Sequence, residues 1–293
     1  MSKSVSVVVP VHNAEAFVAE TIESVLAQTV PPMEIIAVDD GSTDGTAAIL
    51  RGFGDQVQVL SRSGRSAASA RNAGAAAATG VWLAFVDADD TWLPNKLERQ
   101  LAFTDDPRVG MVYTDRFNIG DRGDLPAIQS EIQHMYAGDV FLDLLLLGNR
   151  ITLSSVMVRR DLFNALGGFY EGLRNAEDWD LWVRLSADHQ VAVCDEPLLR
   201  YRFHRGMKSG NPQRMQVARR EVIRRALLTP RGRALPLVTR RRILAETART
   251  NGFDAARRGA RWLAWQEYGR SLATWPFHGA LYGDLARLLL GRL

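Results

Sequence analysis

The feature that most constrains this chain is an alternation over its first 115 residues, in which short β-branched runs give way to helix-patterned segments. "SVSVVVP" (4–10), "MEIIAVDD" (33–40), "QVQVL" (56–60), "VWLAFVDADD" (81–90) and "VGMVYTD" (109–115) read as strands. Between them, "AEAFVAETIESVLAQT" (14–29), a short segment through Ile49 and Leu50, the Ala-rich "SAASARNAGAAAATG" (66–80) and "PNKLERQLAF" (94–103) read as helices. Near-continuous apolar strands on this spacing imply βαβ units, because parallel strands need crossovers and the crossover helices bury both sheet faces. The expected class is therefore α/β, with a mostly parallel sheet flanked by helices. Such sheets take ligands in the crevice outside the C-terminal ends of their strands. Three polar clusters fall there: Pro10–Val11–His12, Asp39–Asp40 and Asp87–Asp90.

The last cluster is the most demanding. Asp87, Asp89 and Asp90 are separated only by Ala88, and like charges at that spacing repel unless something cationic lies among them. An acidic turn capping the next helix is the simpler account. The functional one is that a D-x-D pair at a strand end holds Mg²⁺ or Mn²⁺, hard cations that prefer oxygen ligands and bridge to diphosphates. Asp39 and Asp40 suit a base N–H or ribose hydroxyls, while Asp44 in "VDDGSTDGT" suits helix capping. No G-x-G-x-x-G or Walker sequence follows the first strand, which argues against NAD binding and against a P-loop ATPase. Glu177 and Asp178 open "EDWDLWVRL", either as acids favoured in a first helical turn or as a general base. His204, after the strand "EPLLRYRF", is a surface histidine or a group reaching a metal or diphosphate, with Arg202, Arg205 and Lys208 to offset anionic charge.

Beyond residue 115 the regularity fades. "RFNIGDRGDLPAIQSEIQ" (116–133) reads as a long loop of the kind that lines active sites. "GDVFLDLLLLGN" reads as a helix, "ITLSSVMVRR" as a strand, "DLFNALGGF" as a short helix, and "AEDWDLWVRLSADH" as a helix burying Leu181, Val183 and Leu185. A single cysteine, Cys194, leaves no internal disulfide and fits a reducing compartment. No apolar run reaches spanning length, and the N-terminal run is expected to be a strand and not a signal peptide, which gives a cytoplasmic expectation. The net charge of +3 is uneven: Arg214–Arg242 holds ten arginines against one acid, Glu221, and leaves the rest acidic.

Taken in order, "VVVPVHNAEAFVAETIESVLAQT", "EIIAVDDGSTDGT", "ARNAGAAAATG", "FVDADD", "GGFYEGLRNAEDWDLWVRL" and "YRFH" resemble a family 2 glycosyltransferase of the GT-A fold. The resemblance spans roughly residues 4–205. It implies a glycosyltransferase domain over 1–205, with a nucleotide-sugar half (1–115) and an acceptor half (116–205), and a basic helical extension over 206–293. It also implies that Pro10, Val11, His12 and Glu15 edge a nucleotide pocket. Asp39, with Asp40, would meet the base, Arg71 would lie near base or phosphates, and Asp87 and Ala88 would lie near the ribose. Asp89 and His204 would hold the divalent metal, and Asp178 would be the base with Glu177 beside it. The implied reaction is an inverting hexosyl transfer from a nucleoside-diphosphate sugar, UDP first, to a hydroxyl on a glycan or lipid-linked acceptor, as in polysaccharide and cell-envelope biosynthesis. His12 departs from the aromatic Tyr or Phe more usual before Asn13, which leaves UDP, dTDP and GDP open. A glycoside hydrolase using two of the carboxylates, a non-catalytic sugar-nucleotide-binding module, and a nucleotidyltransferase are the competing readings. The C-terminal arginines and tryptophans suit a helical cap, a homodimer contact or a peripheral membrane contact. They are not interleaved as in nucleic-acid binders, so no nucleic acid is expected.

Overall fold

The computed structural model describes residues 3–64, 66–121, 126–173, 175–204, 212–277 and 279–290. They divide into two compact units. The first comprises Met1–Phe141, Asn149–Gly172 and Glu177–Lys208, and the second Leu142–Gly148, Leu173–Ala176 and Ser209–Leu293.

The first unit is built on an eight-stranded sheet. Its strands are β1 (Val5–Val11), β2 (Glu34–Asp39), β3 (Gln58–Ser61), β4 (Trp82–Phe85), β5 (Thr91–Trp92), β6 (Val109–Gly120), β7 (Met157–Arg159) and β8 (Gln190–Phe203), in the order β3-β2-β1-β4-β7-β6-β8-β5. The pairs β3–β2, β2–β1 and β1–β4 are parallel, as is β6–β8, while β7 and β5 pair antiparallel with their neighbours. The register Val11↔Asp39 and Val8↔Phe85 brings the C-terminal ends of β1, β2 and β4 to one edge. The crevice expected from the sequence therefore forms.

The helices in this unit are α1 (Val18–Leu26), α2 (Thr46–Gly52), α3 (Ala67–Ala77), α4 (Lys96–Leu101), α6 (Arg160–Ala165) and α7 (Glu177–Ser186), whereas α5 (Phe141–Leu147), which precedes α6 in the chain, belongs from Leu142 onward to the second unit. Apolar side chains of β1, β2, β4 and α1, among them Val7, Val9, Ile22, Val25, Ile35 and Ala84, form one buried cluster. The Ala-rich composition of α3 has a packing cause. A Cβ on Gly74 would stand 2.4 Å from Val8 Cγ1 and 3.1 Å from Val38 Cγ2, so small residues let the helix lie on β1 and β2. Ser66 caps α3 by accepting from the Ser69 N–H at 3.1 Å.

Several elements differ from the sequence expectation. β4 ends at Phe85, so the three acids lie on the turn after it. That turn leads into β5, which pairs with β8 and was invisible at two residues. The expected loop from residue 116 is strand as far as Gly120, because β8 supplies a parallel partner across three register irregularities. Conversely, "ITLSSVMVRR" is strand only over Met157–Arg159, and Leu153–Ser155 forms a 3₁₀ turn.

The second unit contains α8 (Pro212–Leu228), α9 (Pro230–Ala234), α10 (Leu237–Ala256), α11 (Arg261–Thr274) and α12 (Gly279–Leu289). Ala255, Ala256, Ala264, Tyr268, Leu281 and Leu288 form its own buried cluster. Arginine–carboxylate pairs stitch the helices: Arg219 to Asp254, Arg220 to the buried Glu267, and Arg249 to the buried Asp284. Part of the arginine excess is thereby spent inside the helical unit. No helix among the described residues is long and apolar enough to cross a membrane.

Candidate functional site

The rim of the crevice is made by turns that follow the strands. Asn13 sits in the left-handed region at φ 50°, which asparagine tolerates better than most residues. From there its Oδ1 accepts the Thr43 N–H at 2.8 Å, and its own N–H reaches Ser42 Oγ at 2.9 Å. The turn after β1 is thus tied to the turn after β2. Gly41, at φ 81°, lets the β2 turn pass close to Gly64. Asp39 Oδ1 accepts the Ser42 N–H at 2.9 Å, and the Asp40 carbonyl lies 3.0 Å from His12 Nδ1. Asp39 and Asp40 are buried at the strand end while His12 is exposed. Glu15 is committed locally, its Oε2 accepting from Gly45 N–H at 2.6 Å where α2 begins. Asp44 behaves as a cap, accepting from the Thr46 N–H at 3.1 Å. Val11 and Ala88 put their side chains into the core, so they offer the crevice only backbone.

The acidic turn is held from three sides. Thr21 Oγ1, on α1, donates to the Ala88 and Asp90 carbonyls at 2.9 and 2.8 Å. The Asp87 N–H donates to Ser154 Oγ at 3.0 Å. From β8, Arg202 donates its backbone N–H to Asp90 Oδ1 at 3.0 Å and its Nε to the Asp89 carbonyl at 2.9 Å. The three carboxylates then divide. Asp87 meets Arg71 at 2.7 Å. Asp90 is buried, which together with the charges of Asp89 and Asp87 pushes its carboxyl well above the usual range. Asp89 is raised first by burial and then by Asp87, against the pull of His204, whose Nε2 lies 2.9 Å from Asp89 Oδ2. The Phe17 ring lies 5.0 Å from the His204 ring, tilted to it by 40°. Arg205 and Lys208 lie outside the described residues.

The donor set at Asp89 fits a divalent cation. A carboxylate oxygen and an imidazole nitrogen converge, and the carboxylate is burdened by a neighbouring negative charge that a cation would offset. Among the described residues no third His, Cys, Asp or Glu joins them. Remaining ligands would therefore have to come from water or from a bound diphosphate.

Arg71 connects this turn to the second half of the unit. It is 6% exposed, and its guanidinium donates to Asp87 Oδ1 at 2.7 Å and to Glu177 Oε1 at 2.8 Å. It also lies 5.7 Å above the Phe169 ring. Burying an unpaired guanidinium costs several kcal/mol, whereas each charge-assisted bond returns about 1.5–3 kcal/mol. Two carboxylates 90 residues apart in sequence are thereby locked to one cation. Arg71, expected near base or phosphates, bridges two carboxylates in the structure.

Beside Glu177, Asp178 Oδ1 accepts the Trp179 N–H at 2.7 Å and Oδ2 accepts from Asn149 Nδ2 at 2.9 Å. Burial, then the Glu177 charge, pushes the Asp178 carboxyl up to about 6, against the pull of Trp179, Arg71 and Asn149. Ala176, immediately before the pair, is held at φ 64°. A carboxylate that exchanges a proton near neutrality is suited to general-base work.

Asp39, Asp40 and His12 thus gather at the ends of β1 and β2. Asp87, Arg71, Glu177 and Asp178 form a continuous chain of contacts, and Asp89 pairs with His204. The sequence reading missed Asn149, Ser154 and Thr21, all of which grip these groups. Uncharged side chains in "GNRITLSS" and in the middle of α1 carry no signal until the fold shows what they touch.

The sequence profile of glycosyl transferase family 2 matches residues 6–167. An uncharacterized glycosyltransferase of Rickettsia prowazekii is 30% identical over 206 residues, which is 69% of this chain and 65% of that protein. A relative in Rickettsia felis is 31% identical over 204 residues, and there the match spans only 33% of that protein's length. The Escherichia coli UDP-Glc:alpha-D-GlcNAc-diphosphoundecaprenol beta-1,3-glucosyltransferase WfgD is 28% identical over 211 residues, covering 71% of this chain and 80% of that one. In fold, the chain is similar to S. aureus TarS 1-349 in complex with UDP-GlcNAc, with a TM-score of 0.72, 22% identity, and 99% and 89% of the two chains covered. It is also similar to the mannosyltransferase PcManGT from Pyrobaculum calidifontis in complex with GDP-Man and Mn²⁺, with a TM-score of 0.64, 19% identity, and 98% and 80% covered. With the profile running through more than half of its 293 residues, and through the strand ends that build the crevice, the chain belongs to glycosyl transferase family 2.

Proposed function

We propose that this glycosyltransferase moves a sugar from a nucleoside-diphosphate sugar, UDP-linked in the first instance, to an acceptor hydroxyl on a glycan or lipid-linked saccharide, with inversion. The observation that carries the reading is the Arg71 bridge. It fixes the Glu177–Asp178 pair against the acidic turn, so a base and a diphosphate-metal locus share one frame. The preference for UDP rests on WfgD, named for a UDP-Glc donor, and on TarS, seen with UDP-GlcNAc. In this reading residues 1–205 carry the transfer, 1–115 taking the nucleotide sugar and 116–205 the acceptor, and 206–293 form an extension.

The nucleotide lies along Pro10–His12 and Glu15, with Asp39 and Asp40 toward the base and Asp87 with Ala88 toward the ribose. Asp89 and His204 hold the divalent cation, Mg²⁺ or Mn²⁺, which when bound supplies charge neutralisation for the leaving diphosphate. Asp178 takes the acceptor hydroxyl's proton. The acceptor oxygen then bonds to the anomeric carbon as the bond from that carbon to the diphosphate breaks, and the proton stays on Asp178 until solvent removes it. Glu177 and Arg71 keep that carboxylate in place.

The test is calorimetric titration with UDP, with and without Mn²⁺, on the native protein and on Asp89→Ala. Metal-dependent UDP binding that the substitution abolishes is expected. Absence of binding by UDP, dTDP and GDP with either metal would overturn the reading.

For the helical extension we propose contact with an anionic membrane surface. On and beside the first turns of α10, Leu237, Val238 and Leu244 are 66%, 58% and 45% exposed. Arg233, Arg241 and Arg242 are exposed among them and make no ion pair among the described residues. Apolar side chains beside uncompensated arginines match a surface of anionic headgroups over hydrocarbon.

A further inference from the structure

A second cationic locus lies away from the acidic turn. A cavity of about 10 Å³, space for roughly one water-sized group, is lined by residues of β6, of the 129–135 segment and of the stretch that follows Asn149. Arg116 is among the residues that line it. The guanidinium donates to Asn118 Oδ1 at 3.1 Å, Thr152 Oγ1 at 2.6 Å and Gln129 Oε1 at 2.9 Å, and its Cζ lies 4.2 Å from the Tyr201 ring centroid. Every one of these partners is neutral. Arg150 also lines the cavity, its Cζ 5.4 Å from the Tyr136 ring centroid, and the exposed His134 stands at the rim.

The contrast with Arg71 is informative. That arginine is compensated twice over, whereas neither Arg116 nor Arg150 has a carboxylate in ion-pair contact among the described residues. Asp115 lines the same cavity, but its Oδ1 is occupied by the Arg116 backbone N–H at 2.7 Å. Asp115 and Asp90 act on the Arg116 guanidinium only through space. Among the residues that line it, two arginines against one carboxylate leave the cavity wall with an excess of positive charge in a partly desolvated place. A bound anion satisfies that arrangement through charge-assisted bonds.

The position relates the cavity to the chemistry. Asn149 holds Asp178, its neighbour Arg150 lines the cavity, Thr152 holds Arg116, and Ser154 holds Asp87. One six-residue stretch therefore touches the base, the cavity and the acidic turn. We propose that this cavity is an acceptor subsite that receives an anionic group, a phosphate or a carboxylate, borne by the molecule whose hydroxyl faces Asp178. The inference rests on the transferase reading and narrows its acceptor class from glycans in general to anionic ones. An oxygen of the anion enters between Arg116 and Arg150, and the rest of the acceptor stays outside, as the small volume requires.

Two sources share this chemistry: the diphosphate of a lipid-linked saccharide, and an acidic substituent of a glycan. The experiment uses the full chain saturated with UDP and diamagnetic Mg²⁺, so that the donor diphosphate locus is filled. N-acetylglucosamine 1-phosphate, glucuronic acid and uncharged N-acetylglucosamine are then titrated by saturation-transfer NMR. At least one charged sugar is expected to bind about tenfold or more tightly than the neutral one. A preference for the phosphate favours the lipid-linked source, and a preference for the carboxylate favours an acidic glycan. Arg150→Gln, which among the described residues loses only the contact with the Tyr136 ring, is expected to remove most of the advantage while UDP affinity stays unchanged. Arg116→Gln should do the same, but that arginine also ties three side chains, so the Arg150 variant decides. Equal affinities for all three sugars, or an undiminished preference in Arg150→Gln, would overturn the subsite while UDP binding leaves the transferase reading standing. Failure of UDP binding itself would remove both.

Discussion

At Asp178 the same environment that suits the residue to accept a proton also costs the fold something. Its folded pKa of about 6 lies above the ordinary 3.8, so the stability associated with the raised value is present below 3.8 and lost as pH rises through 6. With Asp178 as the proposed base, activity runs the opposite way, because only the ionised form takes a proton. kcat/KM is therefore expected to rise through about pH 6 and level off above it. Asn149 and the Trp179 N–H bond to the ionised oxygens and hold that pKa down. In Asn149→Leu the acidic limb should move upward by about one unit, the size expected on losing a hydrogen bond to a charged group. Asp178→Asn should lose about 10²–10⁴ in rate. At pH 8 it should melt no lower than the native protein, since it carries no charge for the fold to disfavour. A pH–rate profile and thermal melts of both variants check these outcomes. Asp178 and Glu177 were legible as an acidic pair at a helix start. Which of the two is raised was not, because that depends on burial and on Arg71, 106 residues upstream of Glu177.

Among the elements, α3 shows most directly how composition becomes geometry. Its alanines and Gly74 are what a helix needs to lie close on β1, and Arg71 rides on the same helix to the acidic turn. Gly74→Leu is expected to cost about 1–3 kcal/mol through overpacking against Val8 and Val38. Chemical denaturation would read this, together with weakened UDP binding as Arg71 is displaced. The helix itself was readable from its run of alanines, whereas its Ser66 cap emerged only from the structure. β5 was not, because a two-residue strand has no periodicity and exists only because β8 offers it a partner. The same holds for the extension of β6 to Gly120. Its polar Arg116 and Asn118 read as loop, yet they pair with Leu199 and Tyr201 of β8.

On the scale of the whole molecule, charge is distributed by task. The acids gather in the sheet unit and the arginines in the helical one, where some are absorbed by Asp254, Glu267 and Asp284, while Arg233, Arg241 and Arg242 make no ion pair among the described residues and stand beside exposed leucines. Co-sedimentation with vesicles is expected to be strong for phosphatidylglycerol-rich membranes, weak for phosphatidylcholine alone, and reduced several-fold by 0.5 M salt, where the Debye length is about 4 Å. Arg241→Gln with Arg242→Gln should abolish it. Sedimentation of the protein as a dimer with no vesicle preference would assign the surface to self-association instead. The alternation of apolar runs and helices determined by itself that this chain forms an α/β sheet, and ordered motifs placed acids at its strand ends, because both follow from local periodicity and from the topology that parallel strands demand. Only the tertiary structure decided which carboxylate is paired to Arg71, which is shared with His204, which is raised toward neutrality, and that Arg116 and Arg150 line one cavity. Those outcomes depend on distances between residues far apart in the chain, and on how much water each charge has lost, and neither quantity is encoded in any local pattern.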